Sequence, residues 1–433
     1  MDPFLNEPVP PRSVRPSACP GLRRIVSARD GGICRVKLPG GVLSLDQARA
    51  VAGAAERYGN GVIEATNRCN LQLRGIVDEA VADALLAAGL GSPEPGADDV
   101  RNLMLSPLAG LAPTQLADTR PLAAQWLSWL ESTPRLHALS PKFATQFDGG
   151  EPLVQCEHAH DLWLSALVLE GEPHWGLGLA SSLAQGRMHL AVPLADGFRL
   201  ASAVVERFLA LASSQQARMR EVLADIGLEA FLQGLPGRRI DLPGRTEGVG
   251  DLGAHALATP GQQALGARFE LGRLTAPQLR AVAMLAEGAG SLTLHLTPWQ
   301  GVLIPAVAAQ VLPALRAGLQ VLGLITEPHA PLAQMQACTG SPGCAKALAD
   351  TKADARHLAN LLEAPQAVHL TGCPRSCASA QAAPATLLAV APGRYDLFLR
   401  DGREPGFGRL RARELTLQAA AALLNGLPRS ETR

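Results

Sequence analysis

Two stretches of this chain, residues 41–73 and 272–304, carry one pattern of apolar and polar positions at a constant offset of 231, with eleven of 33 positions identical. Each opens on a hydroxyl residue followed three positions later by glutamine, Ser44 to Gln47 and Thr275 to Gln278. That spacing predicts a capping box, in which hydroxyl and amide satisfy each other's exposed backbone N–H groups. A shared Arg-Ala-Val-Ala run then predicts a helix, ended by a turn at Gly59 and Gly290. Alternating residues predict a strand over Val62 to Leu73 and over Leu292 to Ile304. One such unit is too small to close a core. Two copies can pair about a pseudo-two-fold axis and leave a shared groove.

The remaining pattern divides accordingly. A Gly/Pro/Asp-rich linker covers 91–99, and a second connector covers 236–261. The expected architecture is α+β in four parts: a first repeat at 15–88, a mixed helix and strand domain at 100–233, a second repeat at 262–327, and a second mixed domain at 335–425. The first mixed domain contains an apolar strand, Leu162 to Leu169. The last contains an amphipathic helix, Ala345 to Leu362, and an apolar strand, Ala367 to Thr371. A length of 433 residues also exceeds what one ordinary core supports.

Lys plus Arg and Asp plus Glu are equal at 39 each, which removes the usual electrostatic reason to expect nucleic acid or an anionic membrane as partner. Met1–Arg15 is Pro-rich and polar, without the apolar core of a signal peptide. The longest uncharged stretch, about Gly288 to Leu315, is broken by Pro298, Pro305 and Pro313, so no membrane span is expected. The expected location is the cytoplasm, where thiols stay reduced and eight cysteines point to metal or redox chemistry rather than disulfides.

Four of those cysteines form two loop pairs, Cys338-x5-Cys344 and Cys373-x3-Cys377. Cys344 is expected to open the helix Ala345 to Leu362, and Cys377 to start a further helical run, so that two loop-to-helix transitions aim four thiolates at one point. Structural zinc favours closer spacing than x5, and buried free cysteines rarely come as two loop pairs. A [4Fe-4S] cluster suits both the spacing and the compartment. Other chemistry is weaker. His158, His160 and Asp161 precede the apolar strand at Leu162, and alternation would put the two histidines on one side, within reach of a mononuclear iron, although hydrogen-bonded strand histidines are commoner. Gly248-Val-Gly250-Asp-Leu-Gly253 matches G-x-G-x-x-G but lacks the flanking strand and helix of a dinucleotide site, so it reads as linker.

Cys338-Thr-Gly-Ser-Pro-Gly-Cys344, followed by Gly372-Cys373-Pro-Arg-Ser-Cys377, resembles the cluster motif of the sulfite and nitrite reductase superfamily. Cys34 to Gly41, Thr66 to Gln72, Arg101 to Gly110 and Leu139 to Phe143 resemble its tetrapyrrole-facing segments, in the same order along nearly the whole chain. The resemblance implies two ferredoxin-like repeats and two mixed α/β domains, the second holding a [4Fe-4S] cluster. Cys19 to Leu22, Phe147 to Gly150 and Leu296 to Gly301 resemble the oxygen-dependent monooxygenase branch of aerobic cobalamin biosynthesis. That branch implies precorrin-3A and O2 as substrates. It further implies NADH as indirect electron source through a separate reductase or carrier, and a mononuclear non-haem iron. Arg68, Arg101, Asn102 and Lys142 match motif positions and are candidates for binding the precorrin carboxylates. Ala144 and Glu64 stand where reductases resemble Lys and Arg, which argues against the alternative of a siroheme-dependent sulfite or nitrite reductase. A non-catalytic iron–sulfur carrier or tetrapyrrole-binding protein is the remaining alternative.

Overall fold

The computed structural model describes residues 19–246, 248–379, 383–400, 404 and 406–427. The reading of Met1–Arg15 therefore lies outside the described residues. The chain separates into two compact units: residues 1–24 with 91–249, and residues 25–90 with 250–433. The boundary at Val249 and Gly250 falls inside the G-x-G-x-x-G look-alike, which is connector, as its sequence context predicts. The connector is more ordered than its composition suggests, since Arg238–Pro243 and Gly253–Ala256 are both strands.

The larger unit holds both repeats. The two capping boxes form as the spacing predicts, on helices Leu45–Tyr58 and Ala276–Gly288. The long strand expected after each helix is instead a hairpin: Val62–Ala65 with Leu71–Ile76, and Thr293–Thr297 with Gly301–Ala308. The turns lack a Gly-Asn signature because a threonine side chain builds them. Thr66 Oγ1 accepts from the amides of Arg68 and Asn70, and Thr297 Oγ1 from that of Gly301. Cys69 and Gln300, equivalent in the repeat, both take left-handed backbone conformations there.

Each repeat lends a strand to the other. One sheet runs Val26–Ala28, Gly31–Val36, Leu71–Ile76, Val62–Ala65 and then Arg273–Thr275 from the second repeat. The other runs Gly253–Ala256, Gln262–Arg268, Gly301–Ala308, Thr293–Thr297 and then Val42–Ser44 from the first. The pseudo-two-fold also shows in its ion pairs. Arg49 meets Glu287 at 2.5 Å, and its equivalent Arg280 meets Glu56 at 2.7 Å.

The same unit ends in a five-stranded mixed sheet. Met335–Ala337, Val368–Thr371 and Ala385–Ala391 run parallel, followed by antiparallel Arg394–Leu399 and Arg409–Leu415. Helices Thr351–Leu361 and Leu417–Asn425 contribute Leu358, Leu417 and Leu424 to a core with Leu370, Leu387 and Tyr395. The smaller unit repeats this plan: parallel Leu103–Met104, Thr145–Asp148 and His160–Leu169, then antiparallel Glu172–Ser181 and Arg187–Pro193, with Arg238–Pro243 added at the edge. Its core packs Trp126, Phe147, Trp175 and Phe208 between sheet and helices. The duplication thus extends over the mixed domains, where the sequence shows no register.

Candidate iron–sulfur site

The quartet sits at the parallel end of the mixed sheet in the larger unit. Cys338 follows the strand Met335–Ala337, and Cys373 follows Val368–Thr371 by one glycine. The two strands are neighbours, paired Ala337 to Leu370, so sheet register alone brings their loops together. The Gly372 amide donates to Cys338 Sγ at 3.2 Å. An added Cβ at Gly372 would meet Ala347 at 2.5 Å, so only glycine lets these loops close. The thiols are near enough that burial first, then Cys373, Cys338 and Cys344, push the Cys377 thiol above its ordinary range. That mutual penalty on negative charge is what binding to iron would relieve.

Two expectations about this site need correction. The helix begins at Thr351, not Ala345, with Asp350 as its N-cap. Residues 345–350 instead fold back as loop, tied by the Leu348 amide to the Gly372 carbonyl at 3.0 Å. Cys344 therefore does not sit on a helix N-terminus. Cys377 does not open a helix either: Ala378 is in a turn, and the next described element is the strand Ala385–Ala391. The Gly372 amide donates to the Cys338 sulfur, and the hydroxyl of Thr351, the first residue of the helix Thr351–Leu361, lies 3.4 Å from it.

Among the described residues, no three His, Cys, Asp or Glu side chains gather closely enough to hold a single metal ion. A four-iron cluster takes each of the four thiolates on a separate iron. The donor set and its spacing fit the cluster. The apolar strand starts at His160, so His158 lies before it and alternation does not pair the two histidines. Both oxygens of Asp161 are engaged, by the amides of Ala144 and Met219 and by Arg218 Nε. These residues do not fit a mononuclear iron.

The four carboxylate-binding candidates separate by environment. In the smaller unit, Arg101 pairs with Glu131, and Asn102 Nδ2 donates to the carbonyls of Asp99 and Pro141 at 2.9 and 2.8 Å. Both hold local structure. Asn102 anchors the turn that presents Lys142, whose side chain is exposed. In the larger unit, Arg68 lies half-buried in the Thr66 turn.

Glu64 departs most from what its sequence position suggests. It is buried and meets three cations: Arg273 at 2.7 Å, Arg74 at 3.4 Å and Lys352 at 3.9 Å. Burial opposes its ionisation, but Lys352, Arg273 and Arg74 hold the carboxyl down to about 2. Its charge is more than compensated, so it does not present an unscreened carboxylate to an incoming anion. That removes one of the sequence arguments against a reductase. Nothing in the residue pattern reveals this cluster, because its members lie up to 288 positions apart.

Residues 96–241 match the family described as "Nitrite and sulphite reductase 4Fe-4S domain", and residues 27–88 and 255–322 match the "Nitrite/Sulfite reductase ferredoxin-like half domain". The chain is 31% identical to ferredoxin–nitrite reductase of Zea mays over 81% of its own length and 68% of that enzyme. The chain belongs to the nitrite and sulfite reductase family. It is also 29% identical to a precorrin-3B synthase of Sinorhizobium, over 96% of this chain and 90% of that protein. The solved structure of the Mycobacterium tuberculosis NirA protein shares the fold, with a TM-score of 0.77 over 91% of this chain at 24% identity.

The stretch matched as a 4Fe-4S domain holds only Cys156, whereas the quartet lies at 338–377. The duplicated topology accounts for this. The smaller unit shares the order of parallel and antiparallel strands with the sheet that carries the quartet. The smaller unit is the same domain without the thiols.

Proposed function

We propose that this chain is a monooxygenase of the precorrin-3B synthase type, hydroxylating precorrin-3A at the meso carbon C20 with γ-lactone formation by the ring A acetate. One oxygen atom of O2 enters the product and the other leaves as water, with two electrons drawn indirectly from NADH through a separate donor. The observation that carries this reading is the end-to-end match to the Sinorhizobium enzyme, 96% of one chain against 90% of the other, where the maize nitrite reductase has a third of its length unmatched. Ala144 in place of an anion-binding lysine points the same way. Cys338, Cys344, Cys373 and Cys377 would hold a [4Fe-4S] cluster, which supplies electrons one at a time. Lys142 and Arg68 would contact substrate carboxylates, while Asn102 keeps the Lys142 loop in place and Arg101 pairs with Glu131. A cytoplasmic location accords with this chemistry, and no described helix is long and apolar enough to cross a membrane.

A siroheme-dependent nitrite or sulfite reductase is the second reading, favoured by the 31% identity to the plant enzyme and by the compensated charge of Glu64. One preparation separates the two. Anaerobically purified protein from cells rich in siroheme is analysed for iron, sulfide and haem, then assayed with precorrin-3A under oxygen and with nitrite or sulfite and an artificial donor. Cluster without haem and oxygen uptake on precorrin-3A is the expected result. One haem per chain with sustained anion reduction would sink the monooxygenase reading.

A further inference from the structure

The loop between Cys338 and Cys344 is not held by its own sheet alone. Thr339 Oγ1 donates to Glu64 Oε2 at 2.7 Å, and the Thr339 carbonyl accepts from Arg273 Nη2 at 3.3 Å. The Gly343 carbonyl accepts from Arg74 Nη2 at 2.7 Å, and the Ser341 carbonyl from Arg29 Nη1 at 3.1 Å. Arg74 is itself braced by Asp30, with 2.8 Å contacts from both Nε and Nη2. Lys352, also buried, donates to the carbonyls of Leu271 and Ala337, the latter just before Cys338. Glu64 is the common partner. It lies on the first repeat's hairpin, Arg273 comes from the strand lent by the second repeat, and Thr339 and Lys352 belong to the cysteine domain.

We propose that Glu64 is a positioning residue that locks the Cys338–Cys344 loop to both repeats and sets the electron affinity of the group held there. The inference rests on the cluster reading given above. Three cations, Arg74, Arg273 and Lys352, face two carboxylates, Glu64 and Asp30, and Arg29 reaches the Ser341 carbonyl, so the surroundings of the loop are net positive. This charge lies within electrostatic reach of the sulfurs, since Arg74 interacts with Cys344 and Lys352 with Cys338. Adding an electron to a cluster adds negative charge, so a more positive surrounding favours the reduced state. Glu64→Gln keeps an acceptor for Thr339 but removes one negative charge. Arg273→Gln removes one positive charge and leaves Glu64 with Arg74 and Lys352. The two substitutions therefore push the cluster in opposite directions, which a merely structural role would not do.

The test is an anaerobic potentiometric titration of wild type, Glu64→Gln and Arg273→Gln, followed by electron paramagnetic resonance, with iron and sulfide counted first. The expected result is a midpoint moved positive in Glu64→Gln and negative in Arg273→Gln, both at wild-type iron content. Thr339→Val, which keeps every charge, should leave the midpoint in place and speed iron loss to a chelator. If either charge variant fails to fold, the sign of the other carries the test. Midpoints that stay put, or move in the same direction, with intact clusters would overturn the proposal. A wild-type protein without iron and sulfide would overturn the cluster reading itself.

Discussion

At the level of single residues, the structure separates groups that bind from groups that hold. Lys142→Ala should weaken precorrin-3A binding without lowering the melting temperature. Its exposed ammonium argues for a loss of about 1 kcal/mol, roughly five-fold in affinity. Arg101→Ala should do the reverse, because it strips Glu131 of its partner in a mostly buried pair. About 1–2 kcal/mol of stability is expected to go, read by thermal melts, with affinity falling only as far as the Lys142 turn loosens. Equal behaviour in the two variants would contradict this division. Cys373→Ser should abolish the visible iron–sulfur absorption, whereas Cys156→Ser, in a thiol pushed up to about 11 by burial, should not. The cysteine quartet was legible because two spaced pairs report their chemistry locally. The roles of Arg101, Asn102 and Glu64 were not, since each is fixed by a partner far along the chain.

Among the elements, capping boxes and apolar strands are legible from local pattern, while the hairpin turns, one helix start and the exchanged strands are not. Both capping boxes are hydroxyl–glutamine pairs three residues apart, so the sequence announces them. The hairpins carry no familiar turn signature, because a threonine hydroxyl and a left-handed Cys69 or Gln300 replace the usual turn residues. The cysteine-domain helix begins six residues later than its periodicity predicts, since the Ala345 to Asp350 segment is bound to Gly372 instead. The repeats also supply a matched pair of probes. Gly41 and Gly272 are equivalent and both left-handed, at φ +74° and +73°. Alanine at either should cost about 1–2 kcal/mol from backbone strain alone. At Gly41 an added Cβ would also meet the Leu296 carbonyl at 2.7 Å, while at Gly272 it meets the flexible Gln300 side chain at the same distance. Chemical denaturation should therefore find Gly41→Ala the more damaging of the two.

Across the whole molecule, the two units should answer acid with opposite signs. In the larger unit, burial alone pushes His369 down to about 4 from an ordinary 6.5. Its stabilisation is complete above pH 6.5 and is lost as pH falls through about 4. In the smaller unit, burial and then Asp148 raise Glu151 to about 7 from 4.5. Its stabilisation is complete below pH 4.5 and is lost as pH rises through about 7. Each is worth about 3 kcal/mol over its window. Calorimetry between pH 7 and 5 should show one transition rising and another falling, with Glu151→Gln flattening the first and His369→Leu the second. The α+β plan was legible from one repeat in register, but the duplication of the mixed domains was not, because only strand order preserves it. The exchanged strands also impose a schedule on synthesis. The edge at Val62–Ala65 is completed by Arg273–Thr275, about 210 residues later. At ~5–20 residues per second, that edge leaves the ribosome roughly 10–40 s before its partner exists. The nascent chain must therefore carry an unpaired sheet edge through about half of its own translation, which makes it a client for holding chaperones long before any cofactor is needed.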